Sequence, residues 1–313
     1  MTSPVKNIVL LGASGIPGPA ILKEFVASSL NVTVISRVGS KSKFPGGVNV
    51  IRVDYSFESL KVAFTGQDTV VSLLGHHAFE AQKTVIKAAI AAGVKRFIPS
   101  EFGVDTSNPK VVARVPFVGP KRQVVDYLRT KEDSISWTVL LTGIFFDWGL
   151  WQGWLGFNLD EKTTKLWDGG ETPFAATEID VVGKALVALF SRSEAYAAST
   201  NGYVHVAGHV TTQNEIRAVL EKLTGEKFKV EKEVDAASYG KQVQEELAKG
   251  DWKNALDLLK VVNFDSTEKL GVFPRYWNET LGLPKQNLEQ TVQEVLEGKR
   301  KFTVTKSYDD LVS

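Results

Sequence analysis

The stretch from Asn7 to Gly18, NIVLLGASGIPG, joins an apolar run to three regularly spaced glycines. Ile8, Val9, Leu10 and Leu11 are apolar without interruption, as suits a central strand of a parallel sheet. Gly12, Gly15 and Gly18 follow at three-residue intervals, with Ser14 and Ile16 between them, and a helical pattern starts within them. Glycine admits φ > 0 and lets a backbone pass close to a ligand. A strand-to-helix turn leaves the first helical amides unpaired, and the helix dipole favours an anion there. Gly12, Ser14, Gly15, Ile16 and Gly18 are therefore expected to hold the pyrophosphate of a dinucleotide.

A second cluster lies at the tip of the next strand. NAD enzymes usually place Asp or Glu there, on the ribose 2′-hydroxyl. Here the tip reads Ser36–Arg37, followed by Lys41 and Lys43. A guanidinium binds a phosphate with two bonds, so Arg37 and Lys41 beside the adenosine ribose point to NADP(H) rather than NAD(H). Without the upstream glycines the same residues would read as a solvated basic loop.

These groups need elements to hold them. Val32–Ser36 is a second strand after a helix that runs to about Ser28, and Val48–Val53 a third. Asp54 either touches the adenine or caps a helix that starts near Phe57. Thr69–Leu74 is a fourth strand that stops at Gly75, and ligands sit at the carboxyl ends of such strands, which makes Leu74 and Gly75 cofactor candidates. His76 and His77 follow, either in contact with a ligand or in a surface loop. Ala81–Ala92 is a helix ended by Gly93. A fifth strand opens Lys95–Gly103, and a loop fills Val104–Pro116. A helix starts at Gly119–Pro120 and buries Val124, Val125 and Leu128. Trp137–Leu141 is a sixth strand. The tryptophans of WGLWQGW, Trp148 to Trp154, are either core or an aromatic wall over a substrate.

Further on, Thr177–Phe190 reads as a helix and Tyr203–Val206 as a strand. Thr212 and Glu215 form a capping box, and Lys227–Glu233 alternates like a half-exposed strand. Helical stretches cover Ala236–Lys249, Trp252–Lys260 and Asn287–Leu296, and the last twelve residues are polar. The alternation predicts an α/β fold: a doubly wound, parallel Rossmann-type sheet with a smaller α+β substrate lobe. The dinucleotide domain is expected over 1–146 with the return of 177–206, and the smaller lobe over 147–176 and 207–313.

Composition narrows the field. Of 313 residues, 43% are hydrophobic and 23% charged, and the net charge is +1, which gives no electrostatic case for nucleic acid or an anionic membrane. The absence of Cys excludes thiolate catalysis and Cys-ligated zinc, and the four His lack metal-ligand spacing. No long apolar run or signal peptide is read, so the expected location is cytoplasmic.

At Lys95–Gly103, KRFIPSEFG, the chain resembles the NmrA-like and isoflavone reductase family, an atypical branch of the short-chain dehydrogenases. GASGIPG, a GxxGxxG spacing, the basic Arg37 and Lys121 in a helix some twenty residues after RFIPSEFG carry the likeness. It implies a bilobal subunit, monomeric or homodimeric, that binds NADPH and a small, often aromatic substrate. Ordinary short-chain dehydrogenases use Tyr-x-x-x-Lys, but the residue four before Lys121 is Phe117, which cannot donate a proton. Lys121 is then expected to do the acid–base work itself or through water, as in the reductases it resembles, with its pKa lowered by an apolar surround. Ser100 and Glu101 are expected to border the nicotinamide or to organise the turn, and Phe145 to pack near the nicotinamide. The alternative is a non-catalytic NADP(H) sensor of the NmrA type, which has no need of an acid–base lysine.

Overall fold

Strand β1 (Asn7–Leu11) faces two cores at once: Val9 and Leu11 point into one, Ile8 and Leu10 into the other. That double burial is why its sequence is apolar throughout rather than alternating. The computed structural model describes residues 5–75, 79–300 and 302. His76, His77 and all of the polar tail except Phe302 lie outside them.

The main sheet contains β1, β2 (Asn31–Arg37), β3 (Asn49–Val53), β4 (Thr69–Ser72), β5 (Arg96–Ile98) and β6 (Ser136–Leu141). Four strands that belong elsewhere follow: β7 (Ile144–Phe145), β8 (Phe157–Asn158), β9 (Thr163–Trp167) and β10 (Phe174–Thr177). The chain then returns to the main sheet with β11 (Gly202–His205). The order is β11-β6-β5-β4-β1-β2-β3, every pair parallel. Order reverses between β1 and β4, so a crevice opens at the carboxyl ends of those two strands.

Helices cover both faces. Helix α1 (Gly18–Val26) is completed on its side of the sheet by a later helix over Ile179–Ser191, and Ile21, Phe25, Leu186 and Phe190 share their core. The other face takes α2 (Phe57–Phe64), α3 (Phe79–Ala91) and, past the short α4 (Pro109–Arg114), α5 (Gly119–Arg129). Each Leu, Ile or Phe so buried contributes roughly 1.5–3 kcal/mol. Asp54 serves as part of the α2 start: its Oδ1 accepts from Ser56 N at 2.9 Å and from the Ser59 hydroxyl.

A smaller lobe stands on the carboxyl side. Helix α6 (Phe146–Trp151) leads into it from β7, and α7 (Ile179–Ser191) and α8 (Ser193–Ala198) lead back to β11. With β12 (His209–Thr211) and β13 (Lys229–Val234), its two three-stranded sheets are β12-β10-β7 and β13-β9-β8. Helices α9 (Gln213–Thr224), α10 (Ala236–Ala248), α11 (Asp257–Phe264), α12 (Asn278–Leu281) and α13 (Leu288–Leu296) complete the chain. The lobe has its own core around Phe146, Trp167, Phe174, Phe228 and Phe264. The Thr212–Glu215 capping box forms as read.

Three details differ from the sequence reading. The segment 104–116 is not all loop: Asn108 caps Lys110 N at 3.0 Å and Pro109 opens α4, where its missing amide costs nothing. The helix expected from Trp252 starts at Asp257, because the turns before it close with i→i+3 bonds such as Ala255 N to Trp252 O. Strand β13 is mostly exposed rather than alternating, as it lies at the edge of its sheet. Among the described residues no helix is long and apolar enough to cross a membrane.

Candidate functional site

The glycine turn sits at the crevice. Gly12 has φ +76°, and a Cβ there would stand 2.6 Å from the Leu73 carbonyl oxygen, so only glycine lets β1 and β4 end this close together. Gly18 meets the same limit, with a Cβ 2.3 Å from the Ala13 oxygen. Ser14 and Gly15 are exposed and Ile16 half-buried on the outer side of the turn. No side chain caps α1 and its first turn carries no acid. Gly18 N is bonded to Gly15 O and Ile21 N to Pro17 O, and Pro19 has no amide hydrogen, so what the turn offers an anion is chiefly the positive end of the helix dipole with no carboxylate to compete. The residues present fit a diphosphate.

Leu74, half-buried, and Gly75, exposed, follow β4 at the same edge. Ser100 follows β5, and Gln82 of α3 ties the two ends together. Its Oε1 accepts from Ser72 Oγ and from Ser100 N, both at 3.3 Å. Arg37, Lys41 and Lys43 are all exposed at the tip of β2. Arg52 of β3 holds their loop: it donates to Ser40 O at 2.8 Å and to Ser42 O at 3.2 Å.

Lys121 and Phe145 meet in a different place, a mostly apolar cavity of about 250 Å³ between the sheet and the smaller lobe. Five segments line it: Phe102, Gly103, Val104 and Thr106 after β5; Phe117, Val118 and Lys121 around the start of α5; Gly143, Ile144 and Phe145 after β6; Trp148 and Trp154; and Leu256, Leu259 and Asn263 from α11 and its approach. A more polar cleft of about 500 Å³, lined by Trp151, Asn158 and Lys165 among others, lies on the smaller lobe and shares no residue with it.

Lys121 Nζ donates to the main-chain oxygen of Glu101 at 2.6 Å. Burial pulls the amine below the usual lysine range, and the Glu101 carboxylate pulls it back up. Glu101 itself is buried, and burial pushes its carboxyl up to about 7, against the pull of Lys121. The pair sets a titratable amine in an apolar wall, with no phenol at Phe117 to share the work.

A profile described as the NmrA-like family matches residues 4–251. The chain belongs to the NmrA-like family. "Oxidoreductase aprR" of Aspergillus flavus is 34% identical over 303 residues, which is 93% of this chain and 99% of that protein. "Isoflavone reductase homolog IRL" of Zea mays is 30% identical over 217 residues, 66% of each chain. A solved structure described as AtPrR2 with NADP+ and (+)pinoresinol has a TM-score of 0.73 at 18% identity and covers 93% of this chain and 99% of its own. With such relatives, the chain is an oxidoreductase of the NmrA-like family.

In this NmrA-like chain the Arg of RFIPSEFG is structural. Arg96 is buried, stacks 3.6 Å from the Tyr196 ring centroid and bonds Ser136 and Ser199. The tryptophan segment divides: Trp148 and Trp154 line the cavity, while Trp151 is 41% exposed and belongs to neither core nor cavity. The NmrA-like site also draws on Gln82, Thr106, Leu256, Leu259 and Asn263, none of which the sequence singled out. Only Leu259 and Asn263 leave a trace, four apart on a helix face, and that spacing marks burial and not a destination.

Proposed function

We propose that this protein is an NADPH-dependent reductase acting on a small, flat, largely apolar substrate, aromatic or conjugated, with Lys121 as acid–base group. The observation that carries it is the Lys121 amine in the wall of the Phe- and Trp-lined cavity. When bound, the nicotinamide supplies a hydride to an electron-poor carbon: a carbonyl, an activated alkene or a benzylic centre. Lys121 then gives its proton to the atom that gains the electron pair. Burial lowers its pKa, which makes the ammonium a better proton donor than an ordinary lysine. The Gly12–Gly18 turn would hold the diphosphate, Arg37 and Lys41 the 2′-phosphate, and Leu74, Gly75, Ser100 and Phe145 would flank the nicotinamide half. The NADP+ in the AtPrR2 structure supports the cofactor choice.

On this reading residues 1–146 and 177–206 bind the dinucleotide, and 147–176 with 207–313 supply the substrate lobe. The protein works in the cytoplasm as a monomer or homodimer, on a small molecule and not on nucleic acid.

Two measurements test it. Calorimetric titration should show NADPH bound more tightly than NADH. NADPH oxidation should follow addition of members of a panel of aromatic ketones, enones and quinones. Tight binding of both NADP+ and NADPH without turnover across the panel would replace the reductase with a redox sensor. No dinucleotide binding would remove both.

A further inference from the structure

We propose that Glu101 is a positioning residue for the cavity's chemistry: its inward carboxyl group, set behind Lys121 and Thr106, governs the charge of the one and the hydroxyl direction of the other. This deepens the reductase reading and rests on it.

The geometry starts with the backbone. Phe102 takes φ +42°, a left-handed conformation uncommon for a large side chain, directly after Glu101. The turn separates the two polar ends of Glu101. Its main-chain oxygen accepts from Lys121 Nζ at 2.6 Å, and its Oε2 accepts from Thr106 Oγ1 at 3.0 Å. Glu101 is 2% exposed, and among the described residues its Oε1 has no hydrogen-bond partner. Lys121 and Thr106 both line the 250 Å³ cavity.

A buried carboxylate with one oxygen unsatisfied is costly, and protonation relieves the cost. Burial accordingly raises its pKa to about 7. Lys121, Thr106 and Arg122 oppose that rise, and Asp105 adds to it. The charged and titratable groups around it are Lys121 and Arg122 from α5, Asp105 from the following loop, and Tyr203 from β11. His205 of β11 lies 3.7 Å from Asp105 and completes the set.

Two states follow. As a carboxylate, Glu101 draws the Thr106 proton toward itself and favours the ammonium form of Lys121. As an acid protonated on Oε2, it donates to Thr106 Oγ1, because a hydroxyl both donates and accepts. The Thr106 proton is then free to face the cavity, and Lys121 loses its neighbouring anion. A merely structural Glu101 would pin the loop equally well in either state.

The decisive variant is Glu101→Gln, which keeps the shape and an acceptor for Thr106 but removes the charge. Protein carrying 13C-dimethylated lysines is titrated by NMR, with the Lys121 resonance assigned from its loss in Lys121→Arg. Glu101→Gln should move the Lys121 midpoint to lower pH. In wild type, the infrared band of a protonated carboxyl should vanish with a midpoint near 7, and that band should be absent from Glu101→Gln. An unmoved Lys121 midpoint, or no carboxyl band titrating there, overturns the proposal. If Glu101→Gln does not fold, Thr106→Val replaces it: losing the donor should move the carboxyl midpoint upward, and an unchanged midpoint overturns the proposal. Neither readout uses dinucleotide or substrate. A failed coupling therefore leaves NADPH turnover untouched, and a failed reductase reading leaves the coupling untouched.

Discussion

The Nζ of Lys121 reaches the main-chain oxygen of Glu101 across 2.6 Å, which joins the first turn of α5 to the end of β5. One bond thus aims the amine along the cavity wall and fixes the turn that carries Glu101. Lys121 is held by a residue of the RFIPSEFG segment itself, which gives the motif a mechanical purpose.

Removing that amine separates chemistry from binding. Lys121→Ala should lower kcat/KM roughly a hundred- to ten-thousand-fold, the usual worth of a positioned acid–base group. NADPH affinity by calorimetry should change little. Near-normal turnover would show that the amine takes no part.

Arg37→Glu should reverse the cofactor preference. One charge-assisted contact to a phosphate is worth about 1.5–3 kcal/mol, or about 10- to 100-fold in affinity. Dissociation constants for NADPH and NADH report the ratio, and an unchanged ratio rejects Arg37 as the 2′-phosphate ligand.

Arg52→Ala tests the loop rather than the ligand. Its two bonds to Ser40 O and Ser42 O shape the segment that carries Lys41. NADPH binding should weaken several-fold while NADH binding stays as it was. Equal losses for both would mean that the loop does not serve the phosphate.

Gly12→Ala should destabilise the fold as well as the site. The positive φ alone costs about 1–3 kcal/mol for a residue with a side chain, and the new methyl would meet the Leu73 oxygen. Urea unfolding should show a lower midpoint, and dinucleotide binding should fall with it.

Asp147 offers a stability test against pH. It is buried, bonded to Arg300 at 3.0 Å, and burial raises its carboxyl to about 6. The folded state therefore binds this proton more tightly than the unfolded chain does. Between the ordinary carboxylate value and about 6, folded protein carries more protons, so this group's contribution to stability falls as pH rises through that window. Denaturant curves for wild type and Asp147→Asn should diverge in favour of wild type as pH drops from about 6. Parallel curves would contradict this.

The local parts of this protein are legible because their causes are local. An apolar run of four before Gly12, a capping box at Thr212 and Glu215, and the buried face of Val124, Val125 and Leu128 are each set within one or two turns of chain. Alternating strand and helix patterns then lead to the parallel sheet, because a parallel pair requires a crossover. Segment 104–116 was harder: α4 is six residues long, too short for a period to show.

Long-range placement had no such trace. The sequence by itself determined the glycine turn, the basic strand tip and the sheet they stand on, since each depends on neighbours a few residues away. Only the tertiary structure decided that Asn263 and Leu259 share a cavity with Lys121, that Trp154 lines it while Trp151 does not, and that the Glu101 carboxyl is buried. The first follows from how two lobes pack, through segments more than a hundred residues apart, and the burial of Glu101 from the loop and helix that fold back over it at Thr106 and Lys121; no periodic spacing along the chain records either.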